Sequence, residues 1–459
     1  MLKTVTPIDN SILVERNFAT DSEIETVLQN AYEARNKWKE TSLNERKEMI
    51  SNFVKSFLSN NEEIVENLCK QIGRPISQCP GEMRGFEERA NYMINNADRA
   101  LEDVVSRKDS EFDNYIKKEP LGTIFVIAPW NYPFNTSVNS IVPSLLSGNT
   151  VILKHSSQTP LCAEQLFDAA IKASLPKNIF QFLHLDHSST SKVISDNRIN
   201  HVLFTGSVSG GKEIKKSIGT RFIGAGLELG GKDPAYVRSD CNLEHAIENL
   251  VDGSYFNSGQ SCCGIERIYV DEHIFDKFVD GFKSITEKYI LGNPLEENTN
   301  LGPVVRMNAA KYIRTQVSQA LNKGAKNIID SNKFKADDGT NCYVSPSALI
   351  QVDHSMEFMK EETFGPTVGI MKVKNEEDAI NLMNDSAYGL TASIWTSDKE
   401  FAQSMGSKIE TGTFFMNRCD YLDPGLAWTG VKDTGIGVTL SVLGFDHLTR
   451  AKSYHIRTV

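Results

Sequence analysis

The sequence predicts an α/β protein of two open α/β sheet domains plus a small β extension. Three observations carry this reading. Short apolar runs alternate with helical stretches from about residue 122 onward, which is the pattern of an open, mostly parallel sheet. The first hundred residues carry helical apolar spacing instead, and two polar, extended segments fit neither pattern. The 459 residues accommodate about three structural units at ~150 residues each.

Taken in order, Ser22 with Glu25 and Ser42 with Glu45 read as capping boxes. Ile24, Val27, Leu28, Ala31 and then Ile50, Phe53, Val54, Phe57 follow at helical spacing, which implies amphipathic packing helices with no visible chemistry. Strands are expected at 123–129, 151–154, 179–184, 201–204 and 225–229. A second α/β stretch from about Pro234 to Asn417 offers strands at 267–270, 367–373, 390–396 and 413–417. Segments 108–121 and 448–459 look extended and polar, and belong to neither sheet.

Composition narrows the function. A 40% hydrophobic and 24% charged balance is that of an ordinary globular chain, so disorder and low complexity have no support. Lys+Arg 49 against Asp+Glu 59 gives a net charge of -10 and no basic stripe, so nucleic acid is not an expected partner. The longest apolar runs fall short of the ~20 residues of a membrane span, and the first residues lack an export pattern, so a cytoplasmic protein with no membrane partner is expected. The eight cysteines form no CxxC pair, which argues against zinc ribbons and disulfide frameworks. His184 and His187 form an HxxH without the Glu and third ligand of a zincin, so no metal is expected.

In doubly wound sheets ligands bind beyond the carboxyl ends of the strands, so the loops there are read first. They hold Pro129-Trp130-Asn131-Tyr132-Pro133, Lys154-His155-Ser156-Ser157, Thr205 to Lys212, and Glu228-Leu229-Gly230-Gly231-Lys232. Gly206 to Lys212 fits GxxxxGK, but Glu213 stands where a P-loop needs a hydroxyl for magnesium, and no GxGxxG occurs. On its own this loop is either a plain helix start or an anion cradle. Asn257 to Gly264 sets Cys262 and Cys263 in a polar, glycine-rich segment. Alone, such a pair is either inert or, if its thiolate is stabilised, nucleophilic.

PWNYPF at 129–134, KHSSQTP at 154–160, FTGS at 204–207, LELGGK at 227–232, GQSCC at 259–263 and EETFGP at 361–366 together resemble the aldehyde dehydrogenase superfamily in order and spacing. The likeness covers essentially the whole chain. GVKDTGIG at 430–437 resembles the family's late glycine segment, while AWT at 427–429 departs from its usual PFG. The resemblance implies oxidation of a small-molecule aldehyde to the acid with NAD or NADP, through a thiohemiacetal and thioester on Cys262. Cys263 is then a packing neighbour. Asn131 and the Cys262 backbone N–H would hold the oxyanion, and Glu228, 34 positions before Cys262, would activate the hydrolytic water, its two following glycines letting it move.

For the cofactor, the resemblance implies that Trp130 and Leu229 line the site and that Lys154 reaches the adenosine ribose. Gly206, Ser207 and Gly211 would form the helix start under the pyrophosphate, with Glu362 and Phe364 around the nicotinamide ribose. Ser157 stands where NAD-strict relatives carry an acid, so NADP should be accepted alongside NAD. Tyr132, Phe256 and Trp428 fall at positions of the aldehyde tunnel and suit an apolar or quaternary ammonium tail. Asn139 takes the place of a further aromatic. Arg418 offers either a partner for an anionic tail or an ion pair with Asp420 or Asp423. The division that follows is 1–107 with 122–230 for the cofactor, 231–430 for catalysis, and 108–121 with 431–459 for assembly into a homodimer or tetramer. The rivals are a P-loop-like nucleotide-binding protein and a non-catalytic family member, which would be expected to have lost Cys262, Glu228 or Asn131.

Overall fold

A computed structural model describes residues 1–458. The first sheet has six strands in the order Gly435–Ile436, Gly224–Glu228, Ile199–Thr205, Thr123–Ile127, Thr150–Lys154, Phe180–Phe182. All pairs are parallel except the first, which is antiparallel. Thr123–Ile127 is buried at every residue, as its unbroken apolar run requires of a strand covered on both faces. From that strand the chain winds outward through Thr150–Lys154 and Phe180–Phe182, then returns to its other side with Ile199–Thr205. The reversal opens a crevice between the loops after Thr123–Ile127 and Ile199–Thr205, where sheets of this kind receive ligands.

The second sheet has seven strands in the order Lys326–Asn327, Ser347–Ile350, Thr367–Val373, Ile265–Asp271, Asp233–Val237, Thr391–Trp395, Thr413–Met416. Only the short edge strand is antiparallel. All four strands expected here form. Asp233–Val237, Ser347–Ile350 and Lys326–Asn327 were not anticipated, being too short and too polar at their starts to give a signal of their own.

Thr449–Arg457, Phe112–Pro120 and Val104–Lys108 build a separate three-stranded antiparallel sheet, paired residue by residue from Thr449 with Pro120 to Arg457 with Phe112. Two boundaries differ from the sequence reading. Val104–Lys108 belongs to this extension and not to the preceding segment, while Gly435–Ile436 joins the six-stranded sheet, so 431–448 lies outside the extension.

The N-terminal region also holds a surprise. Leu2–Val5 and Ile12–Arg16 form a hairpin ahead of the helices. Helix Asp21–Glu40 is capped by Thr20 and Glu23 in place of Ser22 and Glu25, because Thr20 is the last residue with extended backbone before the helix. Ser42 and Glu45 cap Leu43–Leu58 as read. Helix Pro80–Ala100 turns Met83, Phe86, Ala90, Met93 and Ala97 into the core beside helix Pro133–Leu146. Its Gly81, Glu82, Gly85, Glu88 and Arg89, three or four residues apart, border a cavity.

Candidate active site

The cavity encloses about 570 Å³. Loops of the six-stranded sheet give it Trp130, Asn131, Tyr132, Thr205, Gly206, Ser207, Glu228 and Leu229; the second half of the chain gives Phe256, Cys262, Cys263, Glu362, Phe364, Asp420 and Trp428. The structure therefore brings Cys262, Glu228 and Asn131 to one space. Lys154, Ser157, Gly211 and Arg418 are not on its lining.

The thiol loop is held in an unusual backbone. Asn257, Ser258 and Gly259 take φ of 52°, 57° and 69°, a left-handed run that non-glycine residues adopt only under tertiary constraint. The constraints are visible. Ser258 Oγ donates to the Gly302 carbonyl at 2.8 Å, and the Asn257 amide donates to the carbonyls of Asn131 and Gln260 at 3.3 and 3.2 Å. Gln260 donates to the Asn257 carbonyl at 3.1 Å and accepts from Val305 N–H at 2.8 Å.

Asn131 is fixed from behind. The buried Arg74 guanidinium donates to its carbonyl, pairs with Glu82, and reaches Asn257 Oδ1 at 3.1 Å. Glu82 in turn accepts Phe134 N–H at 2.8 Å at the start of helix Pro133–Leu146. Asn131 Nδ2 donates to the Gln260 carbonyl at 3.2 Å, which puts the amide beside the thiol loop with a second hydrogen to spare.

The two cysteines differ. Cys262 is partly exposed on the cavity, and its backbone N–H makes no hydrogen bond among the described residues. Cys263 is buried, 2.9 Å from Asp420 Oδ1. Its hydrogen bond with the Cys262 thiol and its burial push it well above the usual thiol range, so it stays protonated. Asp420 also accepts from Ser261 Oγ at 3.0 Å, and burial pushes it up to about 7.

Glu228 is raised above the ordinary carboxylate range by burial, opposed by hydrogen bonds from Thr439 Oγ1 at 2.5 Å and Thr205 Oγ1 at 3.3 Å. The glycines after it serve close approach. A Cβ on Gly231 would fall 2.3 Å from the Cys262 carbonyl oxygen, and one on Gly230 would fall 2.6 Å from the Glu362 carboxylate. The late segment anchors this turn: Leu229 N–H donates to the Thr434 carbonyl at 2.8 Å and Thr434 Oγ1 to the Gly230 carbonyl at 2.9 Å. Residues 434–439, expected in the assembly extension, thus brace the Glu228 loop.

Lys232 is buried, paired with Glu266 at 2.5 Å. Glu266 accepts Phe364 N–H at 2.9 Å, which holds Phe364 with φ +55° and its ring 5.6 Å from that of Trp130, edge to face. Glu362 accepts Gly231 N–H at 2.9 Å and is pushed up to about 8 by burial and by Glu266. On the crevice side Ser207 caps helix Val208–Ile218 by accepting Gly210 N–H at 3.1 Å, and Gly211 leaves room for the Leu229 side chain, which a Cβ there would meet at 2.7 Å. Lys154 ends strand Thr150–Lys154 half-buried, its ammonium disfavoured by burial and without a hydrogen-bond partner among the described residues. A dinucleotide fits these features: a helix start for the pyrophosphate, an unpartnered cation, and a cavity wall that carries Trp130, Leu229 and Phe364.

Arg418 requires correction. It is exposed and lies over the Tyr421 ring at 3.5 Å, with neither the ion pair to Asp420 or Asp423 nor a place on the cavity wall. The planar guanidinium finds an aromatic face in place of a carboxylate. Tyr132 does line the cavity, with the Arg74 guanidinium 4.5 Å from its ring centre. The sequence reading missed Arg84, Arg89 and Asn135 on the wall, as well as the Arg74–Glu82 pair behind it. Nothing in the spacing of RGFEER at 84–89 marks the buried Arg89, or the exposed Arg84 at the edge of the cavity, from its solvated neighbours.

The family model of the Aldehyde dehydrogenase family matches residues 1–454, and the chain belongs to that family. Among curated relatives, the succinate semialdehyde dehydrogenase (NAD(P)+) of Escherichia coli is 31% identical over 441 residues, 96% of this chain and 95% of the relative. A 3-sulfolactaldehyde dehydrogenase of Priestia megaterium is 32% identical over 399 residues, 86% of this chain and 82% of the relative. Among solved structures, succinic semialdehyde dehydrogenase from Streptococcus pyogenes in complex with NADP+ superposes with a TM-score of 0.95 at 28% identity, covering 100% of both chains. An NAD-dependent aldehyde dehydrogenase from Sinorhizobium meliloti gives 0.95 at 27%, covering 99% of this chain and 91% of that one.

Proposed function

We propose that this aldehyde dehydrogenase oxidises a small aldehyde to its carboxylic acid with NAD(P)+, using Cys262 as nucleophile, Asn131 as oxyanion donor and Glu228 as hydrolytic base. The observation that carries the assignment is the contrast at the thiol loop: Cys262 opens onto the cavity with a free backbone N–H, while Cys263 is buried against Asp420. Cys262 Sγ attacks the carbonyl carbon, and the oxygen takes up the Cys262 N–H and the second hydrogen of Asn131 Nδ2. Oxidised nicotinamide, when bound, would supply the hydride acceptor that conversion of the adduct into a thioester requires. Glu228 then leaves Thr205 and Thr439 and takes a proton from water, whose oxygen attacks the thioester carbon and releases Cys262 thiolate. A carboxylate raised by burial is a stronger base for that step at neutral pH.

In this reading Gly206 and Ser207 would hold the cofactor pyrophosphate, Glu362 the nicotinamide ribose, and Lys154 and Ser157 the adenosine end. The seven-stranded sheet carries the nucleophile. The three-stranded sheet joins copies of the chain into a homodimer or tetramer, a role supported by Val104 and Val105, 54% and 61% exposed on its edge. Eight free thiols suit a reducing, cytoplasmic setting. No helix among the described residues is long and apolar enough to cross a membrane.

The test is aldehyde-dependent appearance of reduced nicotinamide absorbance, run with NAD and with NADP. ATP turnover without aldehyde oxidation would favour the P-loop alternative.

A further inference from the structure

The wall of the cavity contributed by helix Pro80–Ala100 has hydrogen-bonding capacity that the protein does not use. Arg89 is buried, yet it makes a single hydrogen bond, Nη1 to the Asn135 carbonyl at 3.0 Å, and no ion pair. A guanidinium has five N–H donors, so most of its capacity is open. Arg84, five residues earlier and exposed, has no ion pair either among the described residues. Asn135 and Asn139, 7% and 3% exposed, line the same wall, and the side-chain oxygen of each is buried without a partner. Buried polar groups are rarely left in that condition unless something else satisfies them.

The acids around the cavity are in the opposite state. Glu82 is taken by Arg74 and the Phe134 N–H, Glu88 accepts the Tyr421 hydroxyl at 3.0 Å, and Asp420 accepts from Ser261 and Cys263. Asp252 is the exception, an exposed acid without a donor among the described residues. An aromatic cage for a cation is also compromised, since the Tyr132 ring already has the Arg74 guanidinium beside it. The open charged capacity is therefore that of the Arg84 and Arg89 guanidinium groups, beside amides whose orphaned oxygens are acceptors, and its positive charge suits an anion.

We propose that Arg89, assisted by Arg84 and the amides of Asn135 and Asn139, binds a carboxylate at the far end of the aldehyde, so that this enzyme selects ω-acid aldehydes over neutral or cationic ones of the same length. This rests on the aldehyde-oxidising function proposed above. Arg89 is a specificity-determining residue: it meets the tail and takes no part in the bonds that form or break at Cys262.

The experiment compares kcat/KM for 4-oxobutanoate, its methyl ester and 4-trimethylammoniobutanal in the full-length protein. Wild type should favour 4-oxobutanoate by about tenfold to a hundredfold, the range of a charge-assisted hydrogen bond. Arg89→Met should remove most of that ratio through KM, Arg89→Lys should keep part of it, and Arg84→Met should reduce it less. Independently of turnover, succinate should raise the Tm of wild type and do so much less for Arg89→Lys and Arg84→Met. Oxidation of all three aldehydes without preference, or a preference that survives in a folded Arg89→Met, would overturn the proposal while leaving aldehyde oxidation standing. If none of the three is oxidised with either cofactor, the reading of function fails, and the succinate shift alone then decides the anion site.

Discussion

The end of the cavity facing the six-stranded sheet and the end facing helix Pro80–Ala100 are built from different materials. At the sheet end aromatic and acidic side chains stand beside closely packed glycines: Gly206 and Ser207 at a helix start, and Gly230 and Gly231 pressed against Glu362 and the Cys262 carbonyl. At the helix end it is made of long polar side chains, Arg84 and Arg89, with Asn135 and Asn139 beside them. Closely packed glycines suit a fixed task such as holding one cofactor, because a side chain there would meet a close neighbour, the Phe204 ring at Gly206, the Glu362 carboxylate at Gly230 and the Cys262 carbonyl at Gly231. Side chains on a helix can be exchanged without moving the helix. The difference teaches where chemistry common to a family and where substrate choice are each stored in this fold.

If the two ends divide the work in this way, variants at the sheet end and thiol loop should damage the reaction, and variants elsewhere should alter selection. Cys262→Ala is expected to have the largest effect, reducing oxidation to background from an acceleration of at least ~10⁶. Cys263→Ala should retain most activity, because that thiol faces Asp420; initial rates on both purified variants check this. Glu228→Gln should slow steady turnover by ~10² to 10⁴ while preserving one round of reduced nicotinamide, seen as a burst in stopped flow. Loss of the burst as well would move Glu228 to an earlier step.

Asn131→Ala should depress the burst itself by ~10² to 10³, or ~2.7–4 kcal/mol, since it removes an oxyanion donor. Ser157→Glu should lower kcat/KM for NADP relative to NAD by roughly tenfold to thirtyfold, ~1–2 kcal/mol of repulsion at a partly exposed position. An unchanged ratio would mean that Ser157 lies away from the adenosine ribose. The smallest effect concerns stability. The Asp420 carboxyl titrates in the fold at about 7, above its unfolded value, so its favourable state is fully present in acid and is lost as pH rises through 7. Asp420→Asn should therefore gain Tm on wild type as pH rises from about 4 to about 7 and hold that gain above it, measured by thermal melts across that range.

Legibility followed the same division. Most strand runs of both sheets were readable because parallel strands buried on two faces tend to be continuously apolar, as in Thr123–Ile127, whereas the buried Asp233–Val237, which starts on Asp and Pro, gave no such run. Cys262 and Glu228 drew attention because they sit in glycine-bearing loops, and Asn131 because it lies between two prolines, and the resemblance supplied the roles proposed for them. Arg84 and Arg89 were hidden because a helix places inward and outward charges in one unbroken run, and only packing decides which face the cavity. Arg418 misled for the converse reason: its neighbours Asp420 and Asp423 suggested a pair, whereas Asp420 turns inward to Ser261 and Cys263 and the guanidinium settles on Tyr421. The role of 434–439 was unreadable because the contacts of Thr434 and Thr439 with residues 228–230 span some two hundred positions of chain.

The central claim is that the acyl group passes through Cys262 and is released by Glu228. Quenching Glu228→Gln within the burst, in the presence of aldehyde and oxidised cofactor, and mapping the adduct by peptide mass spectrometry with fragmentation tests it directly. The account predicts one acyl group per subunit, on Cys262, that decays no faster than steady turnover. An acyl group on Cys263, or a burst of reduced nicotinamide with no acyl group on any cysteine, would contradict it.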